Sequence, residues 1–186
     1  MKGPAAALGT TMTQENLVST ETAPPTPAQI WREMTAEQRM AAAQALWADQ
    51  DSVPQQVEAV QAIARQLRFR AQSVLKLAVE KRARHLAALH TVSETLASRA
   101  LVVYHLSTQR PMLEAFLDHL GIAHEDGMIA ETTKQIPDAD RLRDATGALL
   151  AQFPAADVRV YLRTLAAQDP ETWAALVPLV SERLPS

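Results

Sequence analysis

The sequence predicts an all-α fold, a compact bundle of roughly eight short helices behind a disordered N-terminal tail. Three observations carry this. Hydrophobic residues make up 47% of the 186 residues while aromatics make up only 4%. Ala and Leu are abundant, a composition that suits helices packed through small and aliphatic side chains better than a β-sandwich. Only five glycines are present, which leaves few of the tight turns that hairpins need. Between repeated helix-start signals, apolar residues recur at three- and four-residue spacing.

Residues 1–26 read as the tail, because "TTMTQENLVSTETAPPTPAQ" is rich in Thr and Pro and has no amphipathic period. Met1 and Met12 are both possible starts. Pro24, Pro25 and Pro27 favour extended backbone. The folded domain is placed at 27–186. Its first helix is predicted at about 28–34. "TAEQ" at 35–38 is a capping box with Thr35 as N-cap and Gln38 reaching back; Met40, Ala43, Leu46 and Trp47 then share a face. "SVPQ" at 52–55 repeats the signal with Pro54 in the first turn, and Val57, Val60, Ile63, Ala64 and Leu67 form a stripe. Shorter helices are predicted at 71–77 and 79–90.

"TVSE" at 91–94 reads as a further box. It opens a helix carrying "LVVYHL", apolar on most sides and therefore placed at the bundle centre. Pro111 begins the next helix, with Leu113, Phe116, Leu117 and Leu120 on one face, and Gly121 and Ile122 close it. "EDG" at 125–127 is a turn, and Asp138 caps a helix bearing Leu142, Ala145, Leu149, Leu150 and Phe153. "VRVYLRTL" alternates like a strand but would have no strand partner, so it is assigned to a helix with Val158, Tyr161, Leu162 and Leu165 inward. "DPE" at 169–171 is an N-cap with Pro at the first helical position, and Pro178 is expected to kink or split the helix that follows. Trp31, Trp47 and Trp173 are expected core anchors; "WAALVPLV" is also a candidate apolar face for a partner helix.

Composition narrows function. Cysteine is absent, which excludes disulfides and thiolate metal sites. Neither a signal peptide nor a membrane span is legible, so a soluble cytoplasmic protein without membrane association is expected. The net charge of −3 gives the chain no general attraction to nucleic acid. No phosphate loop, nucleophile elbow or H-E-x-x-H motif appears, and no catalytic, cofactor-binding or metal-ligating residue is assigned. His119, His124, Glu125 and Asp126 lie close together around Gly121, but their spacing matches no metal signature. Tyr104 and His105 on the apolar central helix need polar partners, and Ser107 and Arg110 could complete a polar pocket with them.

The stretch "AIARQLRFRAQSV" at 62–74 admits two readings. As a helix-turn-helix, Ala64 allows close crossing, Leu67, Phe69 and Val74 pack the pair, and Arg65, Arg68, Arg70, Gln72, Ser73 and Lys76 face DNA. Against this, Arg68 would occupy a left-handed turn position and Arg70 is a poor N-cap. As a bundle surface, the segment's net +6 over 62–90 could face the net −6 of 111–140. The favoured reading is an α-helical protein–protein interaction module without intrinsic catalysis, its partner an unknown protein or a second copy. The alternative is a DNA-binding helix-turn-helix regulator using 57–85.

Overall fold

A computed structural model of the chain describes residues 23–129 and 136–181. The predicted tail up to residue 22, both candidate starts, Glu131 and Lys134 lie outside the described residues. The fold is all-α, as the sequence predicts. The described residues contain ten α-helices, one 3-10 turn and one minimal hairpin.

Helix α1 (Pro27–Glu33) opens on a capping box: Thr26 Oγ1 accepts from Gln29 N–H, and the Gln29 side chain accepts from Thr26 N–H. Glu94, far along the chain, accepts from Thr26 Oγ1 at 2.8 Å and from Ala28 N–H at 2.9 Å. A carboxylate is favoured there because unpaired N–H groups converge at a helix start. Helix α2 (Ala36–Ala48) has both halves of the predicted Thr35–Gln38 box. Helix α3 (Val53–Leu67) follows a 3-10 turn at Gln50–Ser52, with Pro54 in its first turn. Ser52 does not cap it, contrary to the predicted box; its hydroxyl donates to Asp49 and accepts from Arg99 Nε at 2.7 Å. The predicted stripe also loses a member, since Val57 is 52% exposed.

Two short helices, α4 (Ala71–Leu75) and α5 (Val79–Ala87), lead to the central helix α6 (Glu94–Thr108). The N-cap of α6 is Ser93, accepting from Leu96 N–H, so "TVSE" is not a box starting at Thr91. Glu94 is thereby freed to hold α1. Helix α7 (Arg110–Leu120) closes as predicted: Gly121 is left-handed at φ 66°, and Ile122 N–H returns to Leu117 O at 2.9 Å. Strands β1 (His124–Glu125) and β2 (Met128–Ile129) form a hairpin around Asp126 and Gly127, both at positive φ (53° and 82°). That is the chemistry of an Asp-Gly turn, at the turn the sequence predicts for 125–127; the short strand pair that flanks it is not expected from the sequence.

Helix α8 (Ala139–Leu150) starts at Asp138, which accepts from Arg141 N–H. Helix α9 (Ala155–Gln168) contains the segment that alternated like a strand. Asp169 accepts from Thr172 N–H at 3.1 Å as predicted, but turns follow and α10 (Leu176–Ser181) begins only at Leu176. Pro178 explains the delay. It cannot donate to Ala174 O, which Val177 N–H takes at 3.1 Å instead, so an α-helix is established only with Pro178 in its own first turn, where no donor is required. The predicted split therefore does not occur.

The buried side chains form two clusters. The first joins α1, α2, α3, α5 and α6 through Trp31, Leu46, Ile63, Leu86 and Leu101. The second joins α7 to α10 through Phe116, Leu117, Leu142, Leu162 and Trp173. Trp47 is only half-buried. Trp173, Leu176, Val177 and Val180 are inward-facing, so the apolar face of "WAALVPLV" is used within the chain rather than offered to a partner. Helix α9 serves both clusters, with Val160 in the first and Val158, Tyr161 and Leu162 in the second.

Polar anchors fix the first cluster. Trp31 Nε1 donates to Leu89 O at 2.7 Å. Arg39, only 8% exposed, donates from Nε to Ala87 O at 2.9 Å and from Nη1 to Met34 O at 2.6 Å. These carbonyls belong to the C-terminal ends of α5 and α1, where unpaired oxygens and the helix dipole both favour a cation. No helix among the described residues is long and apolar enough to cross a membrane.

Candidate interaction surface

The corner built by α3, α4 and α5 carries most of the predicted site residues. Helix α3 ends because Arg68 adopts a left-handed conformation (φ 55°), with Phe69 N–H bonding Ala64 O at 2.9 Å and Arg68 N–H bonding Arg65 O at 3.3 Å. This is a Schellman-type closure made without glycine, at a conformational cost of about 1–2 kcal/mol. The chain then has only five residues of α4 before it turns again into α5. A single helical turn can bury one side chain against its neighbours, and here that is Val74.

The consequence is an outward-facing mixture of charge and apolar surface. Arg65, Arg68, Arg70, Lys76, Lys81 and Arg84 are all exposed. Among the described residues none of these six forms an ion pair. Gln72 and Ser73 are exposed beside them. Carried on the same successive turns, Phe69 is 54% exposed, Leu75 56% and Val79 43%. Arg82 differs from the other cations: it is half-buried, its guanidinium carbon 4.7 Å from the centre of the Trp47 ring, a cation–π geometry.

The expected pairing of this basic segment with 111–140 does not occur among the described residues. Helices α3 to α5 pack on α2, α6 and one another, whereas α7 packs on α8 and the far part of α6, and α8 packs on α9 and α10. The two charged segments belong to different clusters. The acidic residues find other partners: Asp126 pairs with Arg110 at 3.3 Å, Asp140 with Arg143 at 2.6 Å.

The local geometry at the α3–α4 break can be compared with that of a helix-turn-helix. Ala64 and Val74 are buried, a three-residue break separates α3 from α4, and the Arg68 turn is left-handed. Phe69, expected inside, faces solvent, and Leu67 is only half-buried. The would-be recognition helix spans roughly 7–8 Å at 1.5 Å per residue, short for a major groove about 12 Å wide.

Tyr104 and His105 do meet, but not Arg110. The Tyr104 hydroxyl accepts from Gln109 Nε2 at 3.0 Å, and burial pushes its pKa up. His105 lies 3.2 Å from Thr164 Oγ1, whose own hydrogen is donated to Val160 O. His105 Nε2 must therefore carry the proton, leaving Nδ1 buried without a partner among the described residues. Burial pulls the imidazole pKa down to about 3, so the ring is neutral. Its neighbours are the rings of Tyr104 at 5.0 Å and Tyr161 at 5.4 Å. Arg110 instead reaches Leu106 O and Asp126, and Ser107 bonds back to Val103 O. The predicted pocket is thus corrected to an aromatic core contact with two polar ties, Gln109 to Tyr104 and His105 to Thr164.

Around Gly121, His124 accepts from Gly127 N–H at Nδ1 and approaches Asp118 Oδ1 at 3.2 Å through Nε2, which engages both ring nitrogens. Among the described residues no three His, Asp or Glu side chains come together as metal ligands. Sequence reasoning missed a polar cluster in which Arg99 Nη2 bonds Asp49 Oδ2 at 2.7 Å while Ser52 shares the same carboxylate. The Ser52 bond foremost, then Arg99, lowers the Asp49 pKa against the opposing effect of burial. In comparisons with known proteins the chain matches no family model, no curated protein and no solved structure.

Proposed function

We propose that this chain is an α-helical protein–protein interaction module that works without intrinsic catalysis, and that its docking face is the α3–α5 corner. The observation that carries the reading is the exposure of Phe69, Leu75 and Val79 among six cations that have no ion-pair partner among the described residues. Exposed large apolar side chains supply association energy through burial, at about 25 cal/mol per Å² removed from water. The cations select a partner of negative potential and speed the encounter. A complementary surface would be acidic with apolar anchors.

Fluorescence anisotropy with a panel of helical peptides, acidic and basic with matched apolar faces, tests this. Binding is expected for acidic peptides alone, weakened about tenfold or more in a Phe69→Ser/Leu75→Ser variant. Equal binding of both peptide classes, or no effect of the variant, refutes the reading.

DNA recognition is the second reading, favoured by the break between α3 and α4 and by the exposure of Arg70, Gln72, Ser73 and Lys76. Selection from random duplexes discriminates. The first reading expects weak, sequence-independent binding that collapses with salt. Enrichment of a motif, with Arg70→Ala or Gln72→Ala relaxing preference at particular bases, would establish the second.

A further inference from the structure

We infer that the α3–α5 corner docks on a second copy of this chain, against the face formed by the 124–129 hairpin and its neighbouring helices. This rests on the proposal that the corner is a docking face, and names its occupant. The argument is one of charge and apolar complementarity within a single sequence. Over 62–90 the net charge is +6. Over the described residues from 110 to 144, seven carboxylates stand against three guanidiniums, a net of −4. Each face also carries large exposed apolar side chains. On the corner these are Phe69, Leu75 and Val79; on the hairpin, Met128 at 55% and Ile129 at 37%, with Ile136 close by in the chain at 71%.

Among the described residues no ion pair joins the two faces within one molecule. The corner is built on the first cluster and the hairpin side on the second, and α6 packs on both α3 and α7. The hairpin also suits an interface. Glu125 and Met128 are a cross-strand pair flanking the Asp126–Gly127 turn, so a carboxylate and an apolar anchor are presented side by side. Two molecules can satisfy both faces reciprocally in a closed two-fold dimer; if each molecule instead uses its corner on one neighbour and its hairpin face on another, assembly grows unless it closes into a ring.

The test is analytical ultracentrifugation of the full chain over a dilution series at low and high salt. It uses a corner variant, Phe69→Ser/Arg70→Ser, and a hairpin variant, Glu125→Ser/Met128→Ser. All four side chains are exposed and have no hydrogen-bond or ion-pair partner among the described residues. Leu75→Ser/Lys76→Ser serves as a second corner variant, and circular dichroism checks that each variant is folded. The wild-type average mass is expected to rise with concentration and fall with salt. Each variant alone is expected to associate about tenfold more weakly or worse. Mixed, the corner and hairpin variants should form a 1:1 complex that does not grow, because each retains one intact face. A wild type that stays monomeric throughout overturns the inference, while the acidic-peptide assay still decides the docking proposal separately. A hairpin variant that associates like wild type, or a mixture that stays monomeric, also overturns it.

Discussion

Replacing Arg39 with Met tests whether a buried guanidinium without a carboxylate partner among the described residues holds the first cluster together. The side chain is almost wholly enclosed and donates to Ala87 O and Met34 O, at 2.9 and 2.6 Å. A hydrogen bond from a charged donor contributes about 1.5–3 kcal/mol, so two give roughly 3–6 kcal/mol before desolvation. Met keeps much of the aliphatic stem, so the packing loss is small. Removing the cation also relieves the cost of holding it away from water, which offsets part of the loss. The net expectation is about 2–4 kcal/mol of destabilisation. For a chain of this size each kcal/mol lowers the thermal midpoint by about 2–4 °C, so 3 kcal/mol corresponds to about 6–12 °C. Circular dichroism thermal melts and urea titrations measure it. Arg39→Lys should fall between, because an ammonium keeps the charge but lacks the planar fork that spans two carbonyls. A Met variant as stable as wild type, or more stable, would refute the reasoning: desolvation would then outweigh the bonds, as occurs when some buried ions are replaced by apolar residues.

Four other outcomes are expected. Leu117→Ala, at a fully buried position of the second cluster, should cost about 2–5 kcal/mol in urea unfolding; an unchanged midpoint would contradict its burial. Thr26→Ala removes the α1 cap and the hydroxyl that donates to Glu94, and should cost about 1 kcal/mol, with a loss below a few tenths arguing against both bonds. Gly127→Ala should destabilise by about 1–2 kcal/mol, because its backbone is left-handed and the added Cβ would meet Leu113 Cβ at 3.0 Å. His105 is neutral in the fold with a pKa near 3, below that of an unfolded histidine. Its contribution is complete above about pH 6.5 and is lost as pH falls toward 3, because the unfolded chain takes the proton more readily. Stability should therefore decline over that window by up to about 1.4 kcal/mol per pH unit, and His105→Leu should flatten the slope; parallel slopes would place the imidazole in water.

Local rules were legible where a signal involves only neighbours in sequence. The Thr35–Gln38 box, the Gly121–Ile122 closure and the Asp138 cap are each complete within a few residues. Signals failed where a distant group competed. Ser52 has the spacing of a cap, but Asp49 and Arg99 claim its hydroxyl. In "TVSE" two hydroxyls can cap, and Glu94, the residue that would close the box, is bound to Thr26 and Ala28 across the fold. Arg39 reads as a solvated helix residue because nothing nearby in sequence announces two carbonyl ends. The candidate surface shows the same division. Its charge could be counted directly from "RQLRFRAQSVLK". That Phe69 and Leu75 face outward while Val74 faces inward could not, because a one-turn helix has too few residues to establish an apolar period. The separation of the basic and acidic segments depends on which helices share a cluster, and that is a property of the whole chain.

Helix α9 has a thermodynamic consequence. It contributes Val160 to one cluster and Val158, Tyr161 and Leu162 to the other from adjacent turns. Melting the second cluster alone would withdraw α9 and strip a side of the first, and the rings of His105, Tyr161, Phe116 and Trp173, each about 5–6 Å from the next, would come apart together. Partial unfolding then exposes apolar surface on both sides of the boundary while releasing the conformational entropy of only one side. Such an intermediate is poorly populated, and the clusters should disappear in one transition. In calorimetry that is a single heat-absorption peak whose van 't Hoff enthalpy equals the measured one, rather than two peaks of half the size.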